Sequence, residues 1–120
     1  MFEILPKSHD NILGVKATGK VTAKDYEDVL IPRLDDLLNN NEKVRFLYLL
    51  SDGFEGFEAG AVWDDFKYGK EHMDKFERIA VVTDSKWLEW ASDFSNKFIP
   101  GEMKTFHADQ MDEAWAWLES

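Results

Sequence analysis

The sequence contains no cysteine, and that absence removes several kinds of site at once. Disulfide bonds, zinc sites built on thiolates and cysteine nucleophiles all require a thiol. No apolar stretch approaches the roughly 20 residues that a membrane-spanning helix needs. Residues 1–6 have neither the basic region nor the long apolar stretch of a signal peptide. These absences predict a cytoplasmic protein.

Positive charge is also scarce, because 14 lysines and arginines face 24 aspartates and glutamates and leave a formal net charge of -10. Nucleic-acid binding depends on neutralising phosphates with basic side chains, and attachment to anionic lipid depends on polybasic clusters. We therefore expect no nucleic-acid partner and no electrostatic attachment to a membrane. Insertion of aromatic side chains into a membrane interface does not depend on net charge and stays open.

The sequence lacks the common catalytic motifs, including the serine-hydrolase elbow, the P-loop and the dinucleotide glycine pattern. His9, His72 and His107 fall in different predicted elements without metal-ligand spacing. Asp64 and Asp65 are adjacent on a predicted helix and diverge by about 100°, so we interpret them as solvated acids. The sequence thus predicts a protein that is not an enzyme, with no catalytic residues, no metal and no cofactor.

The elements that are present predict a single α/β domain over residues 1–120. Short apolar runs alternate with segments whose apolar residues recur every three or four positions, in the order ββαβαβαβα. This order predicts a mostly parallel five-stranded sheet covered by helices, with the first strand antiparallel at an edge. The predicted strands are 2–5, 12–20, 44–50, 78–83 and 103–107, and the predicted helices follow at about 22–38, 59–73, 85–98 and 109–118.

Two local signals refine the first helix. Thr22 followed three residues later by Asp25 predicts an N-terminal cap. Pro32 lies within the helical run and lacks an amide hydrogen, so it predicts a kink or an irregular first turn.

The most distinctive segment is 44–67, which starts as an apolar strand and continues as a loop rich in glycine, acids and phenylalanine. In α/β domains the loop at the carboxyl end of a strand is a common binding position. Phe54 and Phe57 flank Gly56 in this predicted loop. Two interpretations stay open: a hinged aromatic loop over a cavity, or a loop that packs both phenylalanines beneath the next helix.

Aromatic residues are also abundant on the second and third predicted helices. Trp63 and Phe66 share one face, which we expect to be buried. The third helix carries more large aromatics than a short helix needs to cover a sheet, so part of that surplus is a candidate for an apolar pocket or a membrane interface. The candidate ligand-binding residues are Phe54, Phe57, Glu58, Trp63, Phe66, Trp87, Trp90 and Phe94.

Segments spread over nearly the whole chain resemble the SpoIIAA-like branch of the STAS superfamily. The resemblance implies a compact α/β fold of the type found in bacterial anti-sigma-factor antagonists and related to CRAL-TRIO lipid-binding domains. It also implies a small binding or regulatory module without enzyme activity. The matching segments are 54–57 (FEGF), 63–67 (WDDFK), 78–84 (RIAVVTD), 86–87 (KW) and 113–118 (EAWAWL).

One departure from the family pattern bears on regulation. In the antagonists, the loop after the third strand ends in Asp-Ser-Ser-Gly, and a serine there is phosphorylated to switch partner binding. The corresponding residues here are Phe57, Glu58, Ala59 and Gly60, which carry no hydroxyl. A phosphorylation switch at that position is therefore excluded, and Ser51 matches a different place in the pattern.

The leading hypothesis is a module that holds a small apolar or lipid-like ligand between residues 54–58 and the second and third helices. Burial of apolar surface drives such binding, and peripheral association with the inner membrane surface is its natural companion. The alternative is a protein–protein regulatory module of the anti-sigma-factor-antagonist type that lacks the phosphorylatable serine. Trp117 lies off the apolar stripe of the last helix and leaves a homodimer contact open.

Overall fold

The computed structural model describes residues 1–84 and 102–120, apart from the side chains of residues 51, 52, 66, 73 and 102. Strands and helices follow one another in the described residues, and short 3-10 turns lie at Met73–Lys75 and Ala108–Gln110. The elements are β1 Phe2–Ile4, β2 Ile12–Val21, α1 Ala23–Asp25, a π-helical turn Tyr26–Leu30, α2 Ile31–Asn40, β3 Val44–Phe57, α3 Ala59–His72, β4 Phe76–Thr83, β5 Glu102–His107 and α4 Met111–Glu119.

The strands form one five-stranded sheet in the order β1-β2-β3-β4-β5. β1 pairs antiparallel with β2, whereas every other neighbouring pair is parallel. The predicted α/β class, the mostly parallel sheet and the antiparallel edge strand are all confirmed. The register aligns Tyr48 of β3 with Val81 of β4, which fixes the neighbours of the site described below.

Both local signals of the first helical segment are confirmed. The Asp25 amide donates to Thr22 Oγ1 at 3.1 Å, and the Thr22 amide donates to Asp25 Oδ2 at 2.9 Å, which completes a capping box. The irregularity at Pro32 is a π-helical turn, in which the Ile31 amide donates to the carbonyl of Tyr26. Because proline donates no hydrogen bond, the regular α-helical ladder resumes only with Pro32 in the first turn of α2.

The prediction of a loop after the third strand is wrong, because β3 continues to Phe57. The extension pairs with β2 through Gly19–Phe54 and Val21–Phe57, with register shifts at which β3 advances by more residues than β2. Gly19 and Gly56 have φ angles of 61° and 114°, values that side-chain-bearing residues rarely adopt. Residues 51–57 form a strand because they pair with the long strand β2. The sequence of residues 51–57 alone does not predict this pairing.

The core has two parts, one on each face of the sheet. The larger part lies beneath the π-helical turn, α2 and α3 and includes Tyr26, Leu30 and Phe46. The smaller part lies beneath α4 and is centred on Trp115. Trp115 packs directly against the β2 backbone, since a Cβ atom at Gly14 would lie 2.8 Å from its ring.

The predicted third helix carries three candidate site residues, Trp87, Trp90 and Phe94, and these lie outside the described residues. Within the part of the chain that the structure describes, no helix combines the length and the apolar character needed to cross a membrane.

Candidate functional site

The helix α3 places its polar and apolar residues in unusual positions. A helix that covers a sheet normally turns an apolar stripe inward and polar residues outward. In α3, fully buried Ala61 shares the inward stripe with the partly buried carboxylates Asp64 and Asp65. In contrast, Val62 and Trp63 are 49% and 63% exposed. The predicted burial of Trp63 is therefore wrong, and the outward face of α3 is the candidate binding surface.

The exposed face of α3 has an apolar centre between charges of opposite sign. Glu58 directly precedes the helix, and its carbonyl accepts a hydrogen bond from the Val62 amide at 3.0 Å. Lys67 and Lys70 follow Trp63 by four and seven residues, so they continue the same face, and all three charged side chains are exposed. We call Glu58, Val62, Trp63, Lys67 and Lys70 the α3 contact surface.

The inward face of α3 contains a cluster of three polar side chains from three elements. Tyr26 of the π-helical turn and Tyr48 of β3 place their hydroxyl oxygens 3.0 and 3.1 Å from Asp65 Oδ1. The two hydroxyl oxygens lie 2.8 Å from each other. Asp65 is therefore not the solvated acid that the sequence predicted. Its partners precede it by 39 and 17 residues and come together only in the folded chain.

Burial determines the protonation of this cluster. Burial raises the pKa of Asp65 above its ordinary value of 3.8, although the hydrogen bonds from Tyr26 and Tyr48 act in the opposite direction. Burial, together with the neighbouring Tyr48 and Asp65, also raises the pKa of Tyr26 well above 10.0. The pKa of Tyr48 is raised in the same way, first by burial and then by Asp65. Both tyrosines therefore keep their protons at neutral pH.

Close approach of two helical segments holds the cluster together. A Cβ atom at Gly60 would lie 3.1 Å from the Cβ of Ala23, so glycine at this position lets α3 approach α1 closely. The approach brings Asp65, just over one turn further along α3, within reach of Tyr26. At the other end of the inward stripe, the Tyr68 hydroxyl donates to Asp35 Oδ1 of α2 at 2.8 Å. The inward stripe of α3 is thus fastened by polar contacts at two points.

Two further polar atoms on this side of the molecule are buried without a hydrogen-bond partner among the described residues, Asp64 Oδ2 and Thr83 Oγ1. Thr83 is completely buried and lies two residues beyond Val81, the register partner of Tyr48. Because side chains alternate along a strand, Thr83 shares the sheet face of Val81, which belongs to the larger part of the core.

The predicted aromatic loop residues belong to the core rather than to a gate. Phe54 is only 3% exposed and lies in the larger part of the core. Phe57 is half-buried, with its ring centre 5.2 Å from that of Phe54 and 6.4 Å from that of Tyr26. The hinged loop is wrong, because the segment is a strand, and outside β3 the ring of Phe57 contacts that of Tyr26 in the π-helical turn. Phe66 lies in α3, but its side chain is outside the described part.

Trp117 packs within its own chain. Its ring centre lies 6.0 Å from that of Phe106, and the Arg78 guanidinium carbon lies 5.2 Å from its ring. It is half-buried at the border of the smaller part of the core. A homodimer contact through Trp117 stays a prediction that these contacts do not favour.

Sequence reasoning missed Tyr26, Tyr48 and Asp65. A signal existed for Asp65, because Ala61, Asp65 and Tyr68 are spaced as one helix face, and Tyr48 interrupts an otherwise apolar strand. Within residues 1–84 and 102–120, no group of three or more histidine, aspartate or glutamate side chains could hold a metal ion.

Comparison with known proteins agrees with this architecture. The SpoIIAA-like family model matches residues 12–119. A crystal structure of an uncharacterized protein of the DUF3478 family from Shewanella loihica PV-4, with a SpoIIAA-like fold, superimposes with a TM-score of 0.78 at 32% sequence identity. The superposition covers 98% of this chain and 92% of that chain. No curated protein matches the sequence. The chain therefore belongs to the SpoIIAA-like family.

Proposed function

We propose that the chain is a non-enzymatic binding module that binds a protein partner through the α3 contact surface. The main support for this proposal is the distribution of residues on α3. Val62 and Trp63 are exposed, whereas Asp64 and Asp65 face inward. Exposing a tryptophan and a valine beside each other is unfavourable in water. The arrangement is consistent with a surface that is covered in a complex.

The distribution of charge around Trp63 supports a protein rather than a lipid as the occupant. Interfaces between proteins commonly place an aromatic residue at the centre and polar residues around it, and tryptophan is among the residues that contribute most to affinity. Here Glu58 lies on one side of Trp63 and Lys67 on the other. A partner with an apolar pocket flanked by one basic and one acidic side chain would fit in a single orientation.

The regulation of this module would differ from that of the anti-sigma-factor antagonists. Glu58 occupies the region where those proteins carry the phosphorylated serine, and its amide donates to the Val21 carbonyl at 2.8 Å. Phosphorylation at that position cannot release or recruit the partner because no hydroxyl is present. Partner binding would instead depend on the conformation and exposure of α3.

Site-specific photo-cross-linking tests the proposal. A photo-reactive phenylalanine analogue is placed at position 63 and, as a matched control, at the exposed position 112 of α4. The expected result is a discrete protein adduct from position 63 that disappears when Val62 is also replaced by serine, with no adduct from position 112. Equal labelling from both positions, or no adduct from position 63, would contradict the proposal.

A small apolar or lipid-like ligand is the second candidate, and the same exposed tryptophan favours it. Trp63 follows the half-buried Phe57 by six residues, so the junction of β3 and α3 offers aromatic surface. The sequence also assigns Trp87, Trp90 and Phe94 to this ligand, and these residues lie outside the described part of the chain. In this version, association with a membrane loads the ligand. Organic extraction of gently purified protein would then yield one lipid-like compound in stoichiometric amount. An extract without such a compound, and protein that does not float with zwitterionic vesicles, would exclude this candidate.

A further inference from the structure

The oxygen atoms of Tyr26, Tyr48 and Asp65 form a closed triangle. The sides of the triangle measure 2.8, 3.0 and 3.1 Å, and every side is within hydrogen-bond distance. The triangle joins the π-helical turn, the central strand β3 and the inward face of α3. It is thus the only described set of side chains in which three elements meet through mutual hydrogen bonds at one carboxylate oxygen.

Counting protons shows what the triangle requires. Each hydrogen bond needs one proton between its two oxygens, and each tyrosine hydroxyl supplies one. If both tyrosines donate to an ionised Asp65, no proton remains for the contact between the two hydroxyl oxygens. If Asp65 is a neutral carboxylic acid, it supplies the third proton, and each oxygen in the triangle then donates once and accepts once.

The described part of the chain supplies no ion pair that would compensate a negative charge on Asp65. Among the described residues, no lysine, arginine or histidine forms an ion pair with Asp65. A buried carboxylate without a cation is strongly disfavoured. Besides Tyr26 and Tyr48, the described ionisable side chains on the elements packed around it are Glu3 of β1, Lys16 and Lys20 of β2, Lys24 and Asp25 of α1, Glu27 and Asp28 of the π-helical turn, Arg33, Asp35 and Asp36 of α2, Arg45 and Glu55 of β3, and Asp64, Lys67, Tyr68, Lys70, Glu71 and His72 of α3.

Several of these groups have partners other than Asp65. Asp25 accepts from the Thr22 amide and forms an ion pair with the N-terminal amino group at 3.1 Å. Arg45 is paired with Glu77. Tyr68 donates to Asp35. Lys24 and Lys67 are exposed and remain in water. Because these groups do not neutralise Asp65, we infer that the carboxyl is neutralised by keeping its own proton.

We propose that Asp65 is held as a neutral carboxylic acid whose proton closes a hydrogen-bonded ring with Tyr26 and Tyr48, and that loss of this proton loosens the first half of α3. The claim that the ring regulates the α3 contact surface rests on the proposed function. The claim that the ring exists and stabilises the fold does not. Ionisation would place an unpaired charge beneath the helix that carries Val62 and Trp63, so the surface would be best ordered at lower pH.

The pH dependence follows from the raised pKa of Asp65 in the folded state. In the unfolded chain the carboxyl ionises near its ordinary value of 3.8. The contribution of Asp65 to stability is therefore complete below that pH and decreases as the pH rises toward the folded-state pKa. Between these two pKa values, the unfolding equilibrium constant of the wild type increases relative to that of an uncharged variant by about tenfold for each pH unit.

The test compares the wild type with Asp65→Asn by urea unfolding from pH 4 to pH 8, with the protein alone. Asparagine has nearly the same shape and cannot ionise, so the stability of Asp65→Asn relative to wild type should rise with pH. A relative stability that falls with pH, or stays constant, would overturn the proposal.

A second measurement keeps the proposal testable if Asp65→Asn does not fold. Carbon-13 labelling of the aspartate carboxyl groups allows their titration to be followed by NMR in the wild-type protein. The expected result is one carboxyl, assigned to Asp65, that titrates above the others, together with faster amide exchange in α3 once it has ionised. Titration of Asp65 among the other carboxyls would contradict the ring. Because neither measurement involves a partner, its outcome is separate from that of the cross-linking test.

Discussion

At the scale of single residues, Trp63 and Asp65 show how position on a helix determines role. They are two residues apart on α3, so they lie on opposite faces of the helix. Trp63 remains exposed, whereas Asp65 is held by two tyrosines. An apolar residue on the surface and an acid in the interior are each unfavourable alone, and their occurrence together is the reason for proposing α3 as the binding helix.

Gly14→Ala tests how tightly the smaller part of the core is packed. The new Cβ atom would lie 2.8 Å from the Trp115 ring, so the ring must move, and the free energy of unfolding should fall by about 1–3 kcal/mol. Urea unfolding provides the measurement. Gly69→Ala is the matched control, because nothing lies within 4 Å of its Cβ position and alanine favours the helix by about 1 kcal/mol. A Gly14→Ala variant as stable as Gly69→Ala would show that Trp115 does not contact this strand.

Thr83→Val tests the buried hydroxyl at the end of β4. Thr83 Oγ1 has no hydrogen-bond partner among the described residues, and valine has a similar shape without the polar atom. Removing an unsatisfied buried hydroxyl should stabilise the fold by about 1 kcal/mol, measured as a higher midpoint of thermal unfolding. A lower midpoint would show instead that the hydroxyl makes a stabilising contact in solution, with water or with a ligand.

At the scale of elements, the sequence predicted elements from local patterns and failed where the determinant was distant. The capping box at Thr22 and the irregularity before Pro32 depend on residues within one or two turns, and both are confirmed. The extension of β3 depends on β2, which lies more than thirty residues earlier, and was missed. The inward position of Asp65 depends on Tyr26 and Tyr48, and it was missed for the same reason.

The cap of α1 gives a pH dependence opposite in sign to that of Asp65. Burial acts to raise the pKa of Asp25, but hydrogen bonds from Thr22 and the charge of the N-terminal amino group outweigh it, and the pKa is lowered from 3.8. Its contribution to stability is therefore present above that pH and is lost as the pH falls through the folded-state pKa. Asp25→Asn should be less stable than wild type at neutral pH, and the difference should shrink in acid.

Urea unfolding across the acid range measures this difference, and Thr22→Ala provides the companion variant. Removing the Thr22 hydroxyl eliminates the acceptor of the Asp25 amide and also the side-chain hydrogen bond from Thr22 that lowers the pKa of the Asp25 carboxyl. The variant should lose about 1 kcal/mol of stability, a typical value for an N-terminal cap. If the difference in free energy of unfolding between wild type and Asp25→Asn were the same at neutral pH and in strong acid, the charge of Asp25 would not contribute to the cap.

At the scale of the whole molecule, the order of strands and helices was enough to predict the α/β class and the mostly parallel sheet. The family was predicted from the resemblance of segments such as 54–57 and 63–67, and the family model that matches residues 12–119 confirms it. The function of those motifs could not be predicted, because Phe54 and Trp63 have the same chemical character and opposite exposure. The packing of β3 makes Phe54 a core residue, and the orientation of α3 makes Trp63 a surface residue.

Native mass spectrometry of gently purified wild-type protein and of Trp63→Ser tests the central claim most directly. Because Trp63 is 63% exposed, its replacement should change the free energy of unfolding by no more than about 1 kcal/mol. The account predicts a protein-sized additional mass on the wild type that is absent from Trp63→Ser. A small additional mass that is lost on denaturation would indicate the apolar-ligand candidate instead. A protein-sized mass retained in full by Trp63→Ser, or no additional mass on the wild type, would contradict binding of a protein partner through the α3 contact surface.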